Sequence, residues 1–191
     1  MIVILFGKSA TGKDTVLRKL RDEYGYIPII STTTRPMRVK EKQGVDYNFV
    51  SKEEFLKMIE QDSLIEYRSY NTLVNGIPDT WYYGVPKFAP IKGENFVVVL
   101  DLVGTEGFLK YFGNKDTFVV EISTDDAVRK QRAIRRGSFD ETEWQRRLAD
   151  DEVKFADGEK FRDVCIENDG TRSIHDIAIQ IDNHVKEITA R

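Results

Sequence analysis

The chain has 191 residues, 40% of them hydrophobic and 32% charged, which supplies one domain-sized apolar core and excludes a disordered chain. Its net charge of −3 excludes nucleic-acid binding by bulk positive charge, and 13 glycines and 5 prolines exclude collagen-like or low-complexity sequence. The longest apolar runs, such as 2–6 and 96–100, hold about five residues where a membrane-spanning helix needs about 20, so neither a nucleic acid nor a membrane is an expected partner.

The opening MIVILFGKS lacks the basic stretch and small-residue cleavage site of a secretory signal. Ile2–Phe6 is short, wholly apolar and rich in β-branched residues, the pattern of a strand buried in a parallel sheet. The loop GKSATG follows, then a helical period over Lys13–Tyr24 with Val16, Leu17 and Leu20 inward. Residues 27–30 read as a second strand. From Thr32 to about Pro90 the texture changes. TTTRPMRVKEKQGVDYNFV is polar and turn-rich before it becomes strand-like, and Ser51 with Glu54 forms a capping box opening a helix to about Gln61. Residues 64–70 and 81–85 read as strands around a loop, NTLVNGIPDT, so this stretch is expected to be an α+β insertion.

Strand–helix alternation resumes with strands at 96–100 and 117–122, a basic helix over 125–136, a break at Gly137 and a charged helix over 140–156. A short strand at 164–166 is expected to bury Cys165. Ser173 caps a last helix with Ile174, Ile177, Ile179 and Ile181 as its apolar positions. Buried strands alternating with helices predict an α/β chain, a parallel sheet covered on both faces in a three-layer α/β/α arrangement. The lone cysteine fits a reducing, cytoplasmic setting. His175 and His184 read as exposed and carry no role.

Gly7 and the pair Gly12-Lys13 match G-x-x-x-x-G-K, set where that loop must be, after a buried strand and at the start of a helix. Backbone N–H groups of Gly7, Lys8, Ser9, Ala10, Thr11, Gly12 and Lys13 can then cradle phosphate, the helix adds its positive end, and the Lys13 ammonium neutralises charge. The loop predicts binding of a nucleoside triphosphate. The next position ordinarily carries a hydroxyl for Mg²⁺; here Asp14 stands there, followed by Thr15. Either can hold the metal, and Asp14 is equally well read as favourable negative charge at a helix start.

Arginines stand out in three places: Arg35 and Arg38 in TTTRPMR, Arg132, Arg135 and Arg136 on the basic helix, and Arg146 and Arg147 on the next. Arginine grips phosphate through paired hydrogen bonds, and phosphoryl transfer is mostly positioning and charge stabilisation, so an enzyme joining two phosphorylated substrates needs several such cations. Arg35 and Arg38 lie in a loop without helical period and read as ligands, whereas Arg135 and Arg146 read as a solvated helix face.

With these segments in order, the chain resembles the guanylate kinase family over nearly its whole length. The segments are GKSATGK, STTTRPMR from Ser31, GVDYNFVSKEEF from Gly44, LIEY from Leu64, YYG from Tyr82, Leu100-Asp101, RAIRRG from Arg132, Arg147-Leu148 and END from Glu167. The resemblance implies a P-loop NTPase fold with a core over 1–31, 91–123 and 158–191, an acceptor-binding insertion over 32–90 and a helical lid over 124–157. It implies an ATP-dependent phosphotransferase that makes GDP from GMP (or dGMP), with Mg²⁺ and small nucleotides as its ligands. Arg35, Arg38, Tyr47 and Tyr83 would hold the acceptor 5′-phosphate, Ser31 and Glu66 would meet the guanine, and Asp101 would stand near base and metal. Lys13, Arg38, Arg132, Arg136 and Arg147 would act on the transferring group, and Asn168 would lie by the donor adenine. Glu66, one carboxylate in an otherwise apolar strand, also suits guanine by its own chemistry. It accepts from N1–H and N2–H₂ together, a donor pair that adenine lacks.

Two other readings stay open on the sequence. Val85 follows Tyr-Tyr-Gly where the family usually has a hydroxyl for the guanine carbonyl, and extra residues lie between Glu66 and Tyr83. With Asp14, these features are similar to ribose 1,5-bisphosphate phosphokinases, which make PRPP. Some guanylate kinase-like domains are instead non-catalytic phosphopeptide-binding modules; Lys13, Arg132 and Arg136 point away from these and to an enzyme.

Overall fold

A computed structural model describes residues 1–74, 77–135, 137 and 139–190. In chain order come β1 (Ile2–Phe6), α1 (Lys13–Tyr24), β2 (Ile27–Pro28), β3 (Thr32–Thr33), β4 (Asn48–Phe49), α2 (Lys52–Glu60), β5 (Leu64–Val74) and β6 (Ile77–Pro86). Then follow β7 (Phe96–Val99), α3 (Leu102–Phe112), β8 (Thr117–Ser123), α4 (Asp126–Arg135), α5 (Glu141–Lys154), β9 (Val164–Glu167) and α6 (Ile174–Thr189).

Every residue of β1 is buried, and its side chains alternate between two faces. Val3 and Leu5 pack with Val16 and Leu20 of α1 and with Ile177, Ile181 and Val185 of α6. Ile2, Ile4 and Phe6 pack on the opposite face with Val98 and with Phe108 of α3. Each such side chain contributes about 1.5–3 kcal/mol by leaving water. Two-sided burial puts β1 at the centre of a five-stranded parallel sheet of order β2-β7-β1-β8-β9, the predicted α/β/α core. Among the described residues no helix is long and apolar enough to cross a membrane.

The predicted insertion forms a second, four-stranded sheet of order β4-β3-β6-β5. Phe55 of α2 packs on Tyr82 of β6, with ring centroids 5.5 Å apart, and the capping box at Ser51 is formed as read. The expected loop over 71–80 is mostly ladder: β5 and β6 pair antiparallel from Glu66↔Val85 out to Val74↔Ile77. Pro78 sits in that ladder because β3, the other neighbour of β6, reaches only Tyr83 and Gly84, so the missing N–H of Pro78 faces no third strand.

Two readings are corrected at the periphery. Cys165 is exposed, because β9 is an edge strand that buries Ile166 towards α6 and turns Cys165 the other way. His175 is exposed as expected, but His184 is half-buried, its ring 5.7 Å from that of Phe118.

Helix α3 has no counterpart in the sequence reading. Gly104 and Gly107 each weaken a helix by about 1 kcal/mol and so conceal it. Packing requires Gly107: a Cβ there would stand 2.6 Å from Cβ of Glu66 on β5. Asp101 caps the helix, its carboxylate accepting from Gly104 N–H at 2.9 Å. Gly107→Ala is expected to lose about 1–2 kcal/mol in urea unfolding, overpacking outweighing the gain in helix propensity. Equal or higher stability would refute the close seating of α3 on β5.

Candidate active site

β1 ends at the middle of the sheet, where the strand order leaves a crevice for ligands, and the chain curls through residues 7–12 into α1. The Lys13 ammonium lies back along the curl and donates to the carbonyls of Gly7 at 2.7 Å and Lys8 at 2.8 Å. Gly12 has φ of 99°, and a Cβ on it would stand 2.6 Å from Nδ2 of Asn168, so both backbone and space demand glycine. Gly12 starts α1 without a side-chain cap, an arrangement in which an anion suits the first N–H groups of the helix. Asp14 and Thr15 are both exposed on that first turn.

Asn168 and Arg132 meet the loop from outside. The Asn168 amide donates to the Thr11 carbonyl at 2.7 Å. Nη2 of Arg132 donates to the carbonyl and side-chain oxygen of Asn168, at 2.9 and 3.0 Å. Together with Gly12, Thr15 and Arg135 they line a pocket beside the start of α1, so the structure gathers these two sequence-predicted residues at the glycine-bounded loop. Arg147 is half-buried on α5, and Arg136 lies outside the described residues.

Of the expected acceptor residues, Glu66 and Tyr83 lie on the second sheet, Ser31, Arg35, Arg38 and Tyr47 in the segments that flank β3 and β4, and Asp101 at the start of α3. Ser31 is buried before β3. Arg35 is buried and forms a two-pronged pair with Glu41, at 2.8 and 3.0 Å, under the rings of Tyr47 and Phe49. Arg38 is exposed, and its guanidinium has no hydrogen-bond partner among the described residues; Glu41 accepts instead from its backbone N–H at 2.8 Å. The rings of Tyr47 and Tyr70 each stand edge-on to Tyr83, at centroid distances of 6.2 and 5.7 Å. Burial pushes the Tyr47 phenol up to about 12, with Asp14 and Tyr83 adding to it.

Behind the wall lies a buried ion cluster. Glu66 is only 8% exposed, and both its carboxylate oxygens accept from Nη1 of Arg68, at 2.8 and 2.9 Å. Nε of Arg68 donates to Asp101 at 2.7 Å, and the Tyr70 hydroxyl donates to the same Asp101 oxygen. Burial raises the pKa of Glu66 despite Arg68. Burial also works against the Asp101 charge, but Arg68, Tyr70 and the Gly104 N–H outweigh it and hold that carboxyl below the usual carboxylate range. Sequence reasoning missed Arg68 and Tyr70. The available signal was strand period: both share a face of β5 with Glu66.

A family model for guanylate kinase matches residues 1–184. The chain belongs to the guanylate kinase family. It is 33% identical over 184 residues to the guanylate kinase of Mycoplasmoides gallisepticum, covering 93% of this chain and 89% of that one. To guanylate kinase 2 (chloroplastic/mitochondrial) of Oryza sativa subsp. japonica it is 34% identical over 141 residues, covering 71% of this chain and about half, 47%, of that longer relative. The fold is similar to the crystal structure of guanylate kinase from Anaplasma phagocytophilum, with a TM-score of 0.69, 24% identity, and coverage of 98% of this chain and 85% of that one.

In this guanylate kinase family member a further residue, unread in the sequence, braces the phosphate loop. Arg129 of α4 is fully buried, donates from Nε to the Ser9 carbonyl at 2.7 Å, pairs with Asp126 and Asp151, and stands 5.5 Å from the centre of the Trp144 ring. Asp151 of α5 in turn accepts from the Ser9 N–H at 3.0 Å. Arg129 is hidden in a basic run, and its buried partner is distant in sequence, so no local pattern announces the clamp. Arg129→Met would leave the Asp151 charge buried without its partner, a loss of about 3 kcal/mol. The expected fall in Tm is roughly 6–12 °C, read by calorimetry; an unchanged Tm would mean that the clamp contributes nothing to the fold.

Proposed function

We propose that the chain transfers the γ-phosphoryl group of ATP to GMP or dGMP, giving ADP and the nucleoside diphosphate. One observation carries this reading: the same chain holds an uncapped phosphate loop and a wall of tyrosine and arginine backed by a buried carboxylate. The sugar-kinase and phosphopeptide readings are not favoured by the family match. Core (1–31, 91–123 and 158–191), insertion (32–90) and lid (124–157) take the donor, the acceptor and the closure between them. We place the reaction in the cytoplasm.

The donor phosphates lie along the N–H groups of residues 7–13, with Lys13 turning its ammonium from the loop carbonyls to the phosphate oxygens. Asn168 borders the adenine end. The donor set at the first turn of α1 fits Mg²⁺: the exposed Asp14 carboxylate and Thr15 hydroxyl are hard oxygen ligands next to the phosphates, and Mg²⁺ typically takes one or two protein ligands plus substrate oxygens and water. When bound, the ion neutralises charge on the β- and γ-phosphates.

The acceptor 5′-phosphate takes Arg38, Tyr47, Tyr83 and the free edge of Arg35, while Ser31, Glu66 and Asp101 address the base. An acceptor phosphate is already anionic at neutral pH, so no side chain need make a nucleophile. The residues of this chain hold two anions in line and stabilise charge as it shifts. Arg132, Arg136 and Arg147 come to the transferring group as the lid closes, and closure excludes the water that would otherwise hydrolyse ATP.

A coupled ADP-release assay against GMP, dGMP, AMP, CMP, UMP, dTMP and ribose 1,5-bisphosphate tests the reading, with turnover expected on the guanine nucleotides. Lys13→Ala is expected to lower kcat on the order of a thousandfold; near-normal turnover would remove the loop from the reaction. Glu66→Gln is expected to erode the preference for GMP over AMP, and unchanged selectivity would mean that the base is read elsewhere.

A further inference from the structure

We infer that Arg68 reads the guanine base directly, donating from Nη2 to the O6 and N7 acceptors while Glu66 accepts from N1–H and N2–H₂; the inference rests on the reading of Glu66 as the base-facing carboxylate. An arginine has five N–H donors. Nε of Arg68 is engaged by Asp101, and Nη1 by both oxygens of Glu66. The two donors of Nη2 have no hydrogen-bond partner among the described residues. A single amino nitrogen with both donors available can share them between guanine O6 and N7, two acceptors that adenine does not offer together.

The surroundings fix that amino group. A Cβ on Gly104 would stand 3.0 Å from Nη1, so α3 is cut back to seat the guanidinium, and the Tyr83 ring lies 5.7 Å from its central carbon. Asp101, itself held by Tyr70, anchors Nε. Val85, the residue after the Tyr-Tyr-Gly segment, is fully buried and its side chain carries no donor for a base carbonyl. The cluster of Glu66, Arg68 and Asp101 has two negative charges against one positive. A base offering both donors and acceptors on one edge complements the cluster, with the acceptor at Arg68 and the donors at Glu66. Adenine meets it wrongly on both counts, its amino group against guanidinium donors and its N1 against carboxylate acceptors.

The test compares kcat/KM of the wild-type protein and the variants Arg68→Ala and Arg68→Lys for GMP, 6-thio-GMP and 7-deaza-GMP. The sulfur of the first analogue is a poor acceptor, and the second lacks N7. The wild type is expected to prefer GMP over both analogues by about tenfold or more, and both variants are expected to lose about tenfold to a hundredfold on GMP with the preference collapsing towards unity. If the variants lose equally on all three nucleotides, Arg68 only neutralises Glu66 and the inference is overturned. If the wild type itself fails to distinguish GMP from the analogues, it is overturned without any variant, whether or not Arg68→Ala folds. Absence of turnover on all guanine nucleotides would instead bring down the proposed function, and unchanged GMP over AMP selectivity in Glu66→Gln would bring down the premise about the base; the inference falls with either.

Discussion

The curl of backbone around the Lys13 ammonium is the constraint on which the rest of the structure depends. A loop that points its N–H groups at an anion must turn carbonyls the other way, and those of Gly7 and Lys8 converge on Lys13. A strained curl of this kind persists only if its surroundings hold it. Here each side is held by a different element: β1 fixes its start, α1 its end, Asn168 the Thr11 carbonyl, and Arg129 with Asp151 both backbone groups of Ser9. The buried sheet therefore acts at a distance, because the alternating faces of β1 set where the curl begins.

The acceptor side solves a different problem, that of keeping charge buried without leaving it unpaired. Taking ions out of water costs several kcal/mol each unless partners repay it. Arg35 and Glu41 meet this requirement as a closed pair, and Glu41 also grips the backbone N–H of Arg38. On our reading Arg35 thus braces this segment and offers the phosphate only its remaining N–H groups, while Arg38, held among the described residues by its backbone N–H, presents the whole guanidinium. The cluster around Arg68 is left one negative charge in excess, which favours a ligand that brings hydrogen-bond donors.

What the sequence made legible was local. A wholly apolar strand, a glycine-bounded loop, the capping box at Ser51, the cap at Ser173 and the basic helix all declare themselves within a few residues, and the structure forms each of them. What stayed hidden depends on partners far along the chain. Gly104 and Gly107 look like helix breakers until Arg68 and Glu66 are seen packed against them. The 71–80 stretch looks like loop because Pro78 and Asp79 are judged without knowing that β3 stops short of them. Arg129 looks like one more surface cation until Ser9 and Asp151 close around it. Among the candidate site residues, a motif could announce some in the sequence, whereas those positioned by burial, Arg68, Tyr70 and Arg129, carry no such announcement.

Helix α5 draws the two halves of the site together. Asp151 and Lys154 are three residues apart and share one helix face. Asp151 holds the Ser9 N–H of the phosphate loop, and the Lys154 ammonium stands 4.5 Å from the centre of the Tyr70 ring. Tyr70 in turn donates to Asp101, which anchors Arg68. One face of one helix therefore touches the phosphate loop through a carboxylate and the buried ion cluster through an ammonium. A rigid shift of α5 changes both contacts at once, so the position of this helix is tied to the geometry of the phosphate loop and of the buried ion cluster together.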